Sequence, residues 1–173
     1  MENVATSAAT RAATYEYAVA SRAFAGERQS GDAALVCATA GGVLVAVIDG
    51  LGHGEEAAAA ADVAIRTLSE HAGQPLAALY QLCHEKLRQT RGVAMALAML
   101  DDTSATLSWC GIGNVEGVLI ASRHRTRYLT NRGGVVGYRL PALLAGTEPI
   151  FPGDLLIFAT DGIDESFASG NIK

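Results

Sequence analysis

Residues 43–54 read Val-Leu-Val-Ala-Val-Ile-Asp-Gly-Leu-Gly-His-Gly, and this stretch decides the fold. A continuous apolar run of strand length is typical of a β-strand that is covered on both faces. The run ends at Asp49, and three glycines follow within the next five residues. An ionised carboxylate at the rim of an apolar core is costly unless it is paired or binds a cation. Asp49 is therefore a candidate metal ligand.

Strand and helix patterns flank this stretch on both sides. Residues 35–39 form another apolar run, and the Gly-Gly pair at 41–42 between the two runs predicts a β-hairpin. Alanine-rich residues 54–71 carry apolar side chains at helical spacing and predict a helix. A second helix is expected to start near Pro75, because proline is favoured in the first turn of a helix.

More strands are expected after the helices. Four apolar runs, at closely spaced positions, predict an antiparallel meander: 93–100, 107–110, 115–121 and 125–130. A further apolar strand at 155–160 ends at Asp161, and a helix is expected from Ile163. Strands, then a helix pair, then more strands predict an α+β fold with helices packed on a sheet.

Composition limits the domain count and the classes of partner. The chain has 173 residues and a net charge of −5, so we expect one domain over 15–173, after a flexible arm over 1–14. Its scattered Lys and Arg residues form no basic stripe, which argues against nucleic acid. No run approaches the ~18 apolar residues of a membrane span. The cysteines show no CxxC spacing and are typical of core residues in a reducing cytoplasm: Cys37, Cys83 and Cys110.

The pattern of an apolar strand ending in Asp-Gly occurs twice, at Asp49-Gly50 and at Asp161-Gly162. A carboxylate at a strand end has a position defined by the backbone, and the glycine lets a ligand approach closely. If the two strands lie side by side, the carboxylates converge. Hard oxygen ligands suit Mg²⁺ or Mn²⁺ better than zinc. A single Asp-Gly is more often only a turn, so the repetition carries the metal hypothesis.

The ordered set of motifs resembles the PPM metal-dependent protein phosphatases. Four segments carry the resemblance, and they occur in this order: Gly31-Asp32, residues 47–54, Gly113-Asn114 and residues 153–163. Their spacing is similar to that of the compact bacterial SpoIIE and RsbX-like branch, which includes a stressosome feedback phosphatase. The resemblance covers residues 15–167. It implies a four-layer αββα sandwich of two antiparallel sheets flanked by helices.

The resemblance also implies a binuclear centre that holds two Mn²⁺ or Mg²⁺ ions. Asp49 would bridge both ions, and the Gly50 carbonyl would bind one of them. Asp161 would bind the second ion, and Asp32 would hold metal-bound water from the outer shell. A water shared by two cations loses its proton near neutral pH, so phosphoserine or phosphothreonine is hydrolysed without an enzyme nucleophile.

Other residues of this region have two open interpretations each. His53 is a candidate general acid for the leaving oxygen, or it is a packing residue of the glycine-rich turn. Arg22 and Arg28 are candidates for binding the phosphate, or they are ordinary surface charges. Glu116 is the only acid shortly after Asn114, where eukaryotic members of the family have one, and this argues against a third metal site.

The leading hypothesis is a cytoplasmic phosphoserine/phosphothreonine protein phosphatase. Its partner would be a phosphorylated regulatory protein of a stressosome or anti-sigma pathway. The family supplies a last aspartate downstream of the Asp161 segment, and the sequence reaches Lys173 without such a segment. We therefore expect either a domain truncated at its C-terminal end or a weakly held second ion. This departure favours the alternative of a non-catalytic phosphoprotein-binding module with an incomplete metal site. A phosphatase of small molecules is a third hypothesis.

Overall fold

The computed structural model describes residues 4–5, 15–23, 26–27, 29–123 and 125–163. The elements are, in chain order, β1 (Val4–Ala5), β2 (Val19–Ala20), β3 (Asp32–Thr39), β4 (Gly42–Gly50), α1 (Glu55–Glu70), α2 (Leu76–Leu87), β5 (Val93–Asp101), β6 (Thr106–Ile112), β7 (Glu116–Ile120), β8 (Arg127–Leu129), β9 (Asn131–Arg132), β10 (Gly146–Pro149) and β11 (Leu155–Ala159). The helices predicted over residues 54–71 and from Pro75 are therefore confirmed, between two groups of strands.

The main sheet is built around the hairpin that contains Asp49. Its order is β10-β6-β5-β4-β3, and β9 pairs with β6 in parallel beside this path. The side chains of β4 are fully or half-buried along its whole length, as expected of a strand covered on both faces. The antiparallel register of β3 and β4 places Asp32 directly opposite Asp49. The predicted hairpin is confirmed.

A second sheet has the order β11-β7-β8. The predicted four-strand meander is therefore wrong: β5 pairs with β6 in the main sheet, whereas β7 pairs with β8 in the second sheet. The chain changes sheet at Gly113, whose φ of +96° is a left-handed backbone conformation that glycine adopts at little cost. The apolar pattern of a sequence predicts where strands lie, but it does not predict which sheet each strand joins.

The two helices cover one face of the main sheet. α1 packs against β3 and β4, and α2 packs against β5. The inward-facing alanines of α1 are buried, and small side chains let a helix lie close to a sheet. Tyr80 of α2 is fully buried, and its hydroxyl lies 2.7 Å from the carbonyl oxygens of both Met95 and Cys110. This hydroxyl links α2 to two strands of the main sheet.

The described residues thus form layers of helices, main sheet and second sheet, and the predicted α+β sandwich is confirmed. A cavity of about 1220 Å³ lies between the sheets and is also lined by residues 15–21. The helix expected from Ile163 falls on residues 164–173, outside the described part of the chain. None of the described helices has the length and hydropathy needed to cross a membrane.

The N-terminal region contains the short strands β1 and β2, which pair antiparallel. The arm expected over 1–14 lies outside the described residues except for these two residues of β1. Tyr15 precedes β2, and its hydroxyl donates to Asp102 at 2.7 Å. This hydrogen bond connects Tyr15 to the turn that follows β5.

Candidate active site

Three predicted metal-site carboxylates, Asp32, Asp49 and Asp161, belong to one hydrogen-bonded cluster. Asp32 and Asp49 are register partners in the main sheet, and Asp161 follows β11 of the second sheet. β4 and β11 do not lie side by side, because they belong to different sheets. The carboxylates meet instead across the sandwich, and the contact is made by Asn114. Its Nδ2 donates to Asp49 Oδ2 at 3.2 Å and to Asp161 Oδ2 at 3.0 Å.

A second hydrogen bond joins the two sheets at Asp32. Thr160, the last residue before Asp161, donates its hydroxyl to Asp32 Oδ2 at 3.0 Å. The backbone N–H of Asp32 donates to Ser30 Oγ at 3.1 Å. Asn114 and Thr160 therefore fix the relative position of all the carboxylates in the cluster. The sequence marked both positions as parts of motifs, and it did not reveal that their side chains connect the acids.

The electrostatics of the cluster favour a cation. Burial, the largest cause, raises the pKa of Asp49 to about 6. The Asp32 charge and, more weakly, the Asp161 charge raise this pKa further, whereas the hydrogen bond from Asn114 lowers it. Burial also raises the pKa of Asp32, with the Asp161 charge in the same direction and the Thr160 hydrogen bond opposing both. Like charges held together disfavour ionisation, and a bound cation reverses this effect. Carboxylates with raised pKa values are common at functional sites, and a cation placed beside them would stabilise their ionised forms.

The donor atoms fit a hard divalent cation. One oxygen of Asp49 and one of Asp161 lie within 3.2 Å of the same nitrogen atom, so both face one small volume. Carboxylate oxygens are the ligands that Mg²⁺ and Mn²⁺ prefer. Among the residues that the structure describes, no three Asp, Glu, His or Cys side chains surround a single point. Asp32 accepts a hydrogen bond from Thr160, and only the oxygens of Asp49 and Asp161 converge on the Asn114 amide.

The corner after Asp49 is tightly packed. The Gly50 N–H donates to the Gly31 carbonyl at 3.0 Å. A Cβ added to Gly50 would lie 2.2 Å from the Ala57 carbonyl oxygen of α1, so only glycine fits here. The role of the Gly50 carbonyl as a metal ligand stays a prediction. What the structure adds is that α1 rests directly on the Asp49 corner.

His53 has a partner that the sequence did not reveal. Its Nδ1 lies 2.7 Å from Glu27 Oε1, and its side chain is 66% exposed. A carboxylate on Nδ1 fixes the orientation and tautomer of an imidazole ring. No local pattern connects Glu27 to the glycine-rich loop, because the two are far apart in the chain. The general-acid role of His53 stays a prediction.

An arginine that the sequence did not single out lies against the same loop. Arg91 forms an ion pair with Glu56 in the first turn of α1. Its Nη1 lies 2.7 Å from the place where a Cβ on Gly52 would be. In contrast, Arg22 is exposed and takes part in none of the ion pairs among the described residues, and Arg28 lies outside those residues. The phosphate-binding role of Arg22 and Arg28 stays a prediction.

Comparison of the sequence with protein families matches residues 39–172 to the model for Stage II sporulation protein E (SpoIIE). The chain belongs to the SpoIIE family. The predicted resemblance to the SpoIIE and RsbX branch of the PPM phosphatases is thereby confirmed. A search of curated proteins gave no significant match.

Solved structures show the same fold as this SpoIIE-family chain. A chain described as "The bacterial stressosome: a modular system that has been adapted to control secondary messenger signaling" is 35% identical, with a TM-score of 0.80 over 88% of this chain and 77% of that one. RsbX in complex with magnesium is 21% identical, with a TM-score of 0.75 over 80% and 70%. The PP2C phosphatase domain of SpoIIE from Bacillus subtilis is 20% identical, with a TM-score of 0.64 over 78% and 42%.

Proposed function

We propose that this SpoIIE-family domain is a metal-dependent protein phosphatase that hydrolyses phosphoserine and phosphothreonine. The observation that carries the proposal is the cluster in which Asn114 links Asp49 to Asp161 across two sheets, with Asp32 opposite Asp49. The raised pKa of Asp49 supports a cation at this place. Membership of the SpoIIE family supports the class of reaction.

Each residue of the cluster has a role in the proposed hydrolysis. Two Mn²⁺ or Mg²⁺ ions, when bound, supply an activated water and neutralise phosphoryl charge. Asp49, Asp161 and the Gly50 carbonyl would hold the ions. Asp32 would orient a nearby water, and Thr160 fixes the Asp32 carboxylate. Asn114 sets the distance between the two metal-binding carboxylates.

Glu27 and His53 have roles in the proposed proton transfer. His53 delivers a proton to the serine or threonine oxygen as the phosphoryl group leaves. Glu27 orients the imidazole through Nδ1. Such a pair is tested by the pH profile of kcat/KM, because loss of a general acid removes the basic limb of that profile. Arg22 and Arg28 remain candidates for binding the phosphate.

The proposed substrate is a phosphorylated regulatory protein of a stressosome or anti-sigma pathway. The 35%-identical chain comes from a structure described as the bacterial stressosome, which supports this class of partner. We place the reaction in the cytoplasm, because all three cysteines are free thiols and a reducing compartment keeps thiols in that state: Cys37, Cys83 and Cys110.

The decisive experiment measures phosphate release from a phosphoserine protein and from p-nitrophenyl phosphate, with Mn²⁺ and with a chelator. We expect Mn²⁺-dependent turnover of both substrates, and we expect Asp49→Asn to abolish it. The matched control is Asp62→Asn, which removes the charge of an exposed aspartate on α1. Activity that survives both Asp49→Asn and the chelator would contradict the proposal.

One observation favours the alternative of a non-catalytic phosphoprotein-binding module. Among the described residues no three metal-binding side chains surround one point, and one oxygen each of Asp49 and Asp161 already accepts a hydrogen bond from Asn114. Phosphoprotein binding that is the same with and without metal would support this module. A small-molecule phosphatase would instead hydrolyse free phosphoserine at least as well as a phosphopeptide.

A further inference from the structure

A separate cavity of about 570 Å³ opens directly beside the acid cluster. Asn114, Thr160 and Asp161 belong both to the cluster and to the wall of this cavity. Residues of β7 and β8 form much of the remaining wall. The proposed phosphoryl chemistry uses these three residues and gives the rest of the cavity wall no role. Because the cavity adjoins the cluster, its occupant would lie next to the phosphoryl group.

The described walls of the cavity combine one further carboxylate with apolar surface. Glu116 lies at the start of β7 and is exposed, and its register partner Ala159 stands two residues before Asp161. Tyr128 of β8 is 62% exposed, and Ile163 is 50% exposed. No lysine or arginine lines the described part of the cavity. The metal ions of the proposed function would neutralise Asp161, and Glu116 would then be the negative charge of the cavity.

This combination matches the side chain of lysine or arginine. Such side chains place an apolar stem along apolar surface and keep the charged group at a polar tip. The stem would pack beside Ile163 and Tyr128, and the charged group would meet the Glu116 carboxylate. An acidic side chain in the same place would be repelled by Glu116.

We propose that this cavity is a subsite for a lysine or arginine side chain that flanks the phosphorylated residue of a protein substrate. The inference rests on the proposed function and adds the class of substrate to it. An extended peptide advances about 3.3 Å per residue. A side chain one or two positions from the phosphoserine therefore reaches a cavity that begins at Asn114 and Asp161. The domain prefers phosphorylation sites with a basic neighbour over sites with an acidic neighbour.

The test uses pairs of phosphoserine peptides that differ only by Lys or Glu at one position, placed in turn at one and two residues on either side of the phosphoserine. The measured quantity is the ratio of kcat/KM for the Lys peptide to that for the Glu peptide. We expect a ratio of about five at the best position, as for a solvent-exposed ion pair. Glu116→Gln should reduce the ratio towards one, and Glu116→Lys should invert it. Each ratio is internal to one variant, so any loss common to both peptides cancels.

Glu70→Lys is the matched control for charge. Glu70 is exposed at the C-terminal end of α1, where a lysine is favoured by the helix dipole, and the change in net charge is the same. This variant should keep the wild-type ratio. A ratio that is equal in wild type and Glu116→Lys would overturn the subsite. The subsite would also be overturned if Glu116→Lys left the peptide ratio unchanged and raised the Mn²⁺ concentration needed for half-maximal rate. Glu116 would then bind a metal ion.

Two readouts separate this inference from the proposed function. Turnover of p-nitrophenyl phosphate, which has no flanking residue, reports on the metal-dependent chemistry alone. If the wild-type chain hydrolyses neither substrate, the proposed function fails, and the subsite is tested by fluorescence anisotropy of the same labelled peptides. The Lys peptide should then bind about fivefold tighter than the Glu peptide, and equal binding would overturn the subsite.

Discussion

The two Asp-Gly corners share one sequence pattern, and the fold holds them in different ways. Asp49 ends a central strand and is half-buried, and Gly50 is packed so closely that a Cβ would meet α1 at 2.2 Å. Asp161 follows an outer strand of the second sheet and is exposed, and a Cβ on Gly162 would meet no atom within 4 Å. One corner is part of the core, and the other is brought to it by Asn114.

This difference teaches that equal motifs do not have equal structural roles. Burial of Asp49 disfavours its charged form, as its pKa of about 6 shows, so the fold destabilises this carboxylate unless a cation is bound. We infer that the Asp49 corner determines where the cation lies. In the proposed site the Asp161 corner would supply its carboxylate from the second sheet, and its exposure should make it more tolerant of change.

The largest expected effect is a difference in activity between the variants of Asp49 and Asp161. Asp49→Asn should lower Mn²⁺-dependent kcat/KM by about 1000-fold or more, which corresponds to about 4 kcal/mol of transition-state stabilisation. Asp161→Asn should lower kcat/KM by about 10- to 100-fold. Higher Mn²⁺ should restore part of this activity, because Asp161 is the more exposed of the two carboxylates. The measurement is steady-state hydrolysis of p-nitrophenyl phosphate across a Mn²⁺ series. Equal losses in the two variants would remove the distinction between the corners.

The next largest effect is a difference in the free energy of unfolding between the variants of Gly50 and Gly162. Gly50→Ala should lower the free energy of unfolding by about 2 to 3 kcal/mol, because a methyl group is forced against the backbone of α1. Gly162→Ala should change it by no more than about 0.5 kcal/mol, since the position is open. Urea unfolding of both variants under the same conditions checks this. A Gly162→Ala variant as unstable as Gly50→Ala would contradict the packing described above.

A smaller effect is expected from pH in the metal-free protein. Between about pH 4 and pH 6 the folded state binds more protons at Asp49 than the unfolded chain does, because the folded pKa is the higher one. The free energy of unfolding should therefore fall as pH rises through this range. The contribution is about 1 kcal/mol, because Asp49 is only half-buried and solvent screens its charge.

The measurement compares wild type with Asp49→Asn in chelator, by urea unfolding at several pH values. Subtracting the two curves removes the contribution of the titrating groups that do not interact with Asp49. We expect the variant to be the more stable protein above pH 6 and the difference to shrink towards pH 4. A difference that grows as the pH falls would show that Asp49 is stabilised, not destabilised, in its charged form.

Local pattern was enough to find most of the elements and the two corners. The apolar run before Asp49 and the alanines of residues 54–71 have one dominant period each, so their strand and helix were predictable. The two Asp-Gly pairs were recognisable because each follows such a strand.

Non-local contacts decided what the sequence could not show. The change of sheet at Gly113 depends on packing between sheets, and the apolar runs on either side of it look alike. The pairing of Glu27 with His53, and the position of Arg91 against Gly52, join residues that are distant in the chain. The link through Asn114 needed the fold, because a single amide side chain contacts carboxylates from two sheets.

Calorimetric titration of Mn²⁺ tests the central claim most directly, that the Asp49 corner determines where the cation lies. Wild type, Asp49→Asn and Asp161→Asn are titrated at the same pH, with Asp62→Asn as the control. We predict that wild type and the control bind Mn²⁺ alike, that Asp161→Asn binds it more weakly, and that Asp49→Asn shows no binding heat. Mn²⁺ binding by Asp49→Asn with the stoichiometry and affinity of wild type would contradict the claim.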